Sequence, residues 1–258
     1  MKALYCDDPI HIELLNSLTI NAPFSWTNVD DLHHLLRVCR LHKNEEVLFL
    51  NGKGRGVIAK FQGDHKFKRA DFIVLDLIVS PLENSISIKL VIGKIKKPAL
   101  EQVVVDAVEM GVSHMAVVDT QYSQAFTLKS ERTNTLMKNA YQQSNRLKAM
   151  ELSEGTDFES YLRNWQLTRL NSDVLILFDQ SGDAISSLKL DSNAQRVSLL
   201  IGPEGGWSLI ELEIFHKLKN DFGSQVFTAS FATPILRAPT AVVMAVGAIH
   251  GKLTNSEY

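Results

Sequence analysis

Apolar and polar positions along the chain follow two different grammars. The first seventy-nine residues read as short apolar runs broken by turn residues. Residues 1–24 are small apolar pieces split by Asp7-Asp8-Pro9 and Asn21-Ala22-Pro23, which predicts strand and loop. Asp30 or Asp31 is placed to cap a short helix carrying His33 to Leu36 and ending near Arg40. Glu46 to Leu50 reads as a strand, Asn51-Gly52-Lys53-Gly54 as a hairpin turn and Val57 to Phe61 as the returning strand. Ala70 to Val79 is a further strand. A small β-barrel is the natural closure for such a set.

Ser80-Pro81-Leu82-Glu83-Asn84 is the linker candidate, and after it strand and helix alternate. Strands are predicted at 86–92, 114–118, 174–178, 197–201 and briefly at 226–227. Helices are predicted from Pro98 to about Met110, from Ser130 to about Asn145, over 157–168, from Leu209 to about Asn220 and over 238–253. The stretch after Asn145 reads only as polar. Apolar residues of the first helix (Leu100, Val103, Val104, Ala107, Val108) recur at helical spacing. This grammar predicts an α/β domain with a largely parallel sheet, so the domains are expected at 1–79 and 80–258.

Within the second domain, Val197 to Ile201 breaks into Gly202-Pro203-Glu204-Gly205-Gly206-Trp207-Ser208, with Glu211 three residues after Ser208. The reading is strand, glycine loop, helix, with Ser208 and Glu211 as a capping box. Such a loop lies at the carboxyl end of a strand, where α/β sheets bind ligands. Taken alone it is equally an ordinary turn. Two other loops carry unusual residues: Ser230 to Thr240, with two prolines and the single charge Arg237, and Tyr141-Gln142-Gln143-Ser144-Asn145-Arg146. Arg237 is either a capped surface cation or a recognition group for phosphate or carboxylate.

Composition narrows the picture modestly. The 258 residues are 45% hydrophobic with a formal net charge of −2, which fits a folded chain and does not itself announce a nucleic-acid partner. Charge is uneven, however. Between Arg37 and Arg69 lie nine Lys or Arg against Glu45, Glu46 and Asp64. Such a stretch is either a phosphate-binding patch or a solvated face. Cys6 and Cys39 are too few and isolated for a disulfide framework or zinc site, and no metal site is expected. His33 and His34 point to different helical faces. No signal-peptide pattern and no membrane-length apolar run is present, so a cytoplasmic protein is expected. No nucleophile elbow, dinucleotide fingerprint or phosphate-binding loop occurs.

Ile201-Gly-Pro-Glu-Gly-Gly-Trp-Ser208 followed by Glu211, then Ile235-Leu-Arg237 and Thr240-Ala241 before a small-residue helix, resembles the RsmE-type 16S ribosomal RNA uridine-N3 methyltransferases of the SPOUT superfamily. His34-x-x-x-Val38-x-Arg40, the Asn51-Gly52 turn, Lys94, Glu109-x-Gly111-Val112 and Gln142 to Arg146 keep the family's order along nearly the whole chain. The resemblance implies an N-terminal PUA-like barrel and a C-terminal SPOUT α/β domain with a deep trefoil knot. It implies a homodimer built on the terminal helix, S-adenosylmethionine as cofactor, and 16S rRNA of the small ribosomal subunit as partner. The cofactor would be held by Leu177, Phe178, Ile201, Gly202, Pro203, Glu204, Gly205, Gly206, Ser230, Phe231, Ile235 and Leu236. Arg237 and Arg146 would stabilise the developing uridine anion. RNA contacts fall to Arg37, Arg40, Lys53, Arg55, Lys60, Lys94 and Gln143.

The chain also departs from the family pattern. Where Leu-Gly-x-Arg-Ile-Leu-Arg-Thr-Glu-Thr-Ala is usual it has Phe231-Ala-Thr-Pro-Ile-Leu-Arg-Ala-Pro-Thr-Ala241, and Gln142 and Asn145 replace the usual Glu and Gly. No general base is therefore assigned. The alternatives are an RNA-binding protein that kept the fold without catalysis, and a knotted methyltransferase acting on another RNA such as tRNA.

Overall fold

The computed structural model describes residues 1–64, 68–79, 86–128, 130–191, 193–231 and 233–254. The linker candidate at 80–84 lies outside them. The chain divides into two compact units, Met1–Asn84 with Lys138–Ala149, and Ser85–Met137 with Met150–Tyr258.

In the first unit, β1 (Lys2–Tyr5), β2 (Pro23–Trp26), β3 (Glu46–Leu50), β4 (Arg55–Asp64) and β5 (Ala70–Val79) form a sheet in the order β1-β3-β4-β5-β2. β1 runs parallel to β3, and the other pairs are antiparallel. Alternation along β4 turns Val57, Ala59 and Phe61 inward. They meet an aromatic core in which Phe49 lies edge-on to Phe72 at 5.0 Å and Trp26 at 4.8 Å from Phe49.

Two readings of this half are corrected. Residues 9–17 are helix α1 (Pro9–Ser17) rather than loop. The Asp8 carboxylate accepts from the Ile10 N–H and Pro9 stands at the start, so Asp-Pro is a helix opening here. Helix α2 (Val29–His33) is capped by Asn28 rather than by Asp30 or Asp31, and continues into a π-helical turn over His34–Val38. Asp31 is instead buried, accepting from the Trp26 indole N–H at 3.1 Å and from Lys138 Nζ at 3.3 Å.

Lys138–Ala149 packs here through local bonds. The Gly54 N–H donates to the Leu147 carbonyl at 2.9 Å and the Ala149 N–H to that of Gly52 at 2.8 Å. Tyr141 stacks on Tyr5 at 4.4 Å, and Gln142 Oε1 accepts from the Tyr5 N–H. Asn145 has φ +54°, and the Arg146 N–H closes back on the Tyr141 carbonyl at 3.1 Å. That is the left-handed helix end for which Asn is the best substitute for glycine. The departure at Asn145 is thus conformationally conservative.

The second unit is a six-stranded sheet in which every neighbouring pair is parallel. Its strands are β6 (Ser87–Gly93), β7 (His114–Asp119), β8 (Glu151–Asp157), β9 (Asp173–Ala184), β10 (Arg196–Ile201) and β11 (Val226–Ser230), in the order β11-β9-β10-β6-β7-β8. Its helices are α3 (Lys97–Glu109), α5 (Phe158–Thr168), α6 (Leu209–Asp221) and α7 (Ala238–Thr254), together with the first half of α4 (Ser130–Ser144), whose residues from Lys138 on belong to the first unit. Packing of α7 on α3 and β10 covers one face. On the other, α5 and α6 bury Phe158, Leu162, Trp165 and Phe215 against Val91, Leu175, Leu177 and Leu200.

The polar stretch after Asn145 contains β8, which sequence reading missed. It is a solvent-facing edge strand whose residues are nearly all exposed, so it carries no apolar alternation. β9 also runs past its apolar core to Ala184. β11 pairs with it up to Leu177, then resumes at Asp183. Residues 178–182 therefore have no partner on β11, although Phe178 still pairs with Ile201 of β10. Gly182 permits this: a Cβ there would lie 2.6 Å from the Ala229 backbone.

The capping box of α6 is present as predicted. The Ser208 hydroxyl accepts from the Glu211 N–H, and Glu211 accepts from the Ser208 N–H at 2.8 Å. Glu211 does more than cap. Only 8% exposed, it also accepts from the Gln121 N–H at 2.8 Å, tying the loop after β7 to the start of α6.

Two stability predictions follow from these contacts. Gly182→Ala forces backbone apart at Ala229 and is expected to cost about 1–3 kcal/mol, read as a lowered Tm. Glu211→Ala leaves two donors without their carboxylate and is expected to cost a similar ~1–3 kcal/mol by urea denaturation. Glu211→Gln should restore only part of that loss, because its single amide oxygen can accept from one of the two N–H groups that now share the two carboxylate oxygens.

Candidate active site

The strand order sets where a ligand can enter. From β6 the chain proceeds outward to β7 and β8, then crosses to build β9, β10 and β11 on the opposite side. β6 and β10 are neighbours that carry the chain in opposite directions across the sheet. The crevice at their carboxyl ends is the topological switch point, where open α/β sheets bind ligands. Gly93 and Ile201 end those two strands.

The glycine loop fills this position and is held from several sides. The Gly206 N–H closes a turn on the Pro203 carbonyl at 2.8 Å, with Gly206 at φ +72°. That φ is readily adopted only by glycine. From β6, Gly93 meets Pro203 so closely that a Cβ would fall 2.6 Å from Pro203 Cδ. From the loop after β6, the Lys96 N–H donates to Glu204 Oε1 at 3.1 Å. From the loop after β7, the ring of Tyr122 lies against Gly205, whose Cβ would fall 2.9 Å from Tyr122 Cβ. The buried indole of Trp207 donates to the Phe178 carbonyl at 3.0 Å and packs on Phe158 at 4.7 Å. Trp207 thus fixes the loop to the carboxyl end of β9.

Phe178 continues the connection. Its ring stacks on Phe231 at 4.7 Å and 12°, just past the end of β11. Leu177 keeps its side chain in the core, so only its backbone is available. Gly202 to Gly206, Phe178, Ile201, Ser230 and Phe231 are thereby gathered at one end of the sheet. Beyond Phe231 the chain opens out. Ile235 is 83% exposed, Leu236 half-buried and Arg237 exposed. The Arg237 carbonyl accepts from the Ala241 N–H at 2.9 Å, which makes Arg237 the residue entering α7. Pro239 sits in the first turn of that helix, where its missing N–H costs nothing.

The remaining residues singled out in the sequence divide between the units. Arg146 and Gln143 belong to the first, the former buried and the latter exposed. Arg37, Arg40 and Lys53 are exposed there, and Lys60 is half-buried. Arg55 spends its guanidinium on α1, donating to the carbonyls of Asn16 at 2.8 Å and of Leu18. Lys94, in the second unit, pairs with Asp119 at 2.7 Å with its side chain largely covered, joining the ends of β6 and β7. Its backbone N–H also donates to Ser123 Oγ at 3.1 Å. Among the described residues no group of three or more His, Cys, Asp or Glu is placed to hold a metal ion.

Sequence reading missed the tethers. Trp207 was visible as part of the motif but carried no role. Nothing in local spacing connects Glu204 to Lys96, Glu211 to Gln121 or Tyr122 to Gly205, because each pair is brought together by strand order.

A family model described as an RNA methyltransferase domain matches residues 82–250. Among curated relatives, ribosomal RNA small subunit methyltransferase E of Rickettsia conorii is 22% identical over 240 residues, covering 92% of this chain and 93% of the relative. Ribosomal RNA small subunit methyltransferase E 2 of Borreliella burgdorferi is 24% identical over 218 residues, covering 82% and 84%. Among solved structures, ribosomal RNA small subunit methyltransferase E of Neisseria gonorrhoeae bound to S-adenosyl methionine superimposes with a TM-score of 0.77 at 18% identity, covering 97% of each chain. With the matched segment spanning the whole parallel sheet and the tethered glycine loop at its switch point, the chain belongs to the RNA methyltransferase domain family.

Proposed function

We propose that the protein transfers a methyl group from S-adenosylmethionine to N3 of a uridine in 16S ribosomal RNA. The observation that carries this reading is the glycine loop at the switch point, held by Trp207, Glu204 and Gly93 and followed by the Phe178–Phe231 ring pair. The full-length likeness to ribosomal RNA small subunit methyltransferases E supplies the substrate class.

The residues present fit an adenosine cofactor. Half-buried Phe231, stacked on buried Phe178, offers apolar surface, and a Cβ on Gly206 would meet no atom within 4 Å, so backbone is open to a ligand there. Backbone N–H and C=O groups of Gly202 to Gly206 and Ser230 to Leu236 would hold the nucleoside. The bound cofactor supplies an electrophilic methyl on sulfonium sulfur. The chain's own part is chiefly alignment, holding a uridine N3 in line with that methyl. Uridine N3 must first lose its proton, and Arg237, exposed at the entry to α7, would stabilise the resulting anion, with Arg146 as a second candidate. No carboxylate stands in 231–241 to take that proton, and no general base is assigned.

The same reading assigns residues 1–79 to a PUA-like RNA-binding barrel and 80–258 to a SPOUT domain with a trefoil knot. Support for the first is the five-stranded, mostly antiparallel sheet with exposed Arg37, Arg40 and Lys53. Support for the second is the strand order, in which β10 returns between β9 and β6 before α7 packs back on α3. Partly exposed Val243 and Met244 on α7, with Ile235 before it, suit a homodimer interface. None of the described helices is long and apolar enough to cross a membrane; a cytoplasmic location is what a ribosomal substrate would call for.

Calorimetry with S-adenosylmethionine is expected to show binding, and Gly205→Val should weaken it at least about tenfold. Absence of binding would favour an RNA-binding protein without catalysis. Mass mapping of rRNA from a deletion strain should show loss of one 16S methyluridine, regained on complementation. Survival of that mark in the deletion strain, with a change in tRNA instead, would move the reaction to another RNA.

A further inference from the structure

Two side chains beside the glycine loop, those of Tyr122 and Lys96, are not among the groups assigned to the cofactor. Tyr122 rests one edge of its ring on Gly205, yet the residue is 47% exposed. The turn that carries it is pinned by hydrogen bonds on both sides of Tyr122. The Ser123 N–H closes a turn on the Thr120 carbonyl at 3.1 Å. The Ser123 hydroxyl accepts from the N–H groups of both Thr120 at 3.0 Å and Lys94 at 3.1 Å. The Gln121 N–H is bound by buried Glu211. An aromatic ring is thus presented to solvent on a turn whose neighbouring backbone donors are all engaged. On the adjoining residue of the same loop, Glu204 binds the backbone N–H of Lys96, whose own side chain is exposed.

A tyrosine held this firmly with much of its surface in water gains little from folding, since the apolar area it shows is left unburied. Its chemistry suits a flat π-surface. Enzymes that modify a base reach it only when unstacked, and an extruded or single-stranded base is commonly received on an aromatic face. A phosphate beside that base needs a cation, and Lys96 is held on the neighbouring residue of the loop.

We propose that Tyr122 and Lys96 form a nucleotide-receiving element of the substrate RNA, with Tyr122 stacking on a base at the cofactor loop and Lys96 contacting an adjacent phosphate. The element tells unstacked from helical RNA. It rests on the RNA methyltransferase reading above.

The test uses the full chain, 16S rRNA from a deletion strain as methyl acceptor, and a single-stranded oligoribonucleotide containing 4-thiouridine as photocrosslinking probe. Tyr122→Phe is expected to keep KM for rRNA within about twofold, whereas Tyr122→Ala raises it about tenfold or more with cofactor affinity unchanged. Lys96→Met should lower the slope of log affinity against log salt by about one. The cross-link should map to Tyr122. Unchanged KM and cross-linking in Tyr122→Ala would overturn the proposal. So would loss of cofactor affinity with unchanged RNA binding, which would make Tyr122 a support for the loop. Cross-linking is read without cofactor. A wild-type chain that neither binds S-adenosylmethionine nor methylates rRNA therefore refutes the parent reading, while the cross-link still decides this one.

Discussion

The glycine loop of the second unit depends on hydrogen bonds that cross from strand to strand. The decisive one is the Trp207 indole N–H to the Phe178 carbonyl, buried between β9 and the start of α6. A buried donor of this kind needs its partner, and the partner carbonyl lies where β9 parts from β11. One bond thus fixes the glycine loop and the irregular end of β9 in the same place. Glu211 repeats the device at the other side, satisfying its own helix cap and the Gln121 backbone with one buried carboxylate. With the loop held by side chains, its backbone groups remain for a ligand.

Such holding serves an enzyme whose contribution is mainly alignment. Methyl transfer gains most from fixed geometry. The groups that hold the loop are the Trp207 indole and the Glu204 and Glu211 carboxylates, each bound to a backbone partner. Cationic groups sit further out. Lys94 is neutralised by Asp119, and Arg55 closes α1. Exposed cations include Arg37, Arg40 and Lys53 in the first unit, and Lys96 and Arg237 in the second.

Much of this was legible in the sequence where the signal is local. The Ser208/Glu211 capping box, the Asn51-Gly52 turn and the apolar stripe of α3 depend on residues within a turn of each other, and each forms as read. Elements without a local apolar period escaped: β8 because an exposed edge strand has none, and α1 because Asp8-Pro9 reads equally as a break or a helix opening. The glycine loop could be found as a motif but not as a site. What makes it a site is its set of tethers to Lys96, Gln121, Tyr122 and Phe178, and sequence separation hides all of them. Asn145 shows the reverse case. As a letter it departs from the family pattern, and as a left-handed helix end it preserves the conformation glycine would adopt.

The central claim is that this tethered loop is where the cofactor binds. Amide hydrogen exchange with and without S-adenosylmethionine measures it directly. Protection is expected at 201–206, 230–236 and the 178–182 segment, with little change across the sheet of the first unit. Protection confined to other segments, or none at saturating cofactor, would contradict the account.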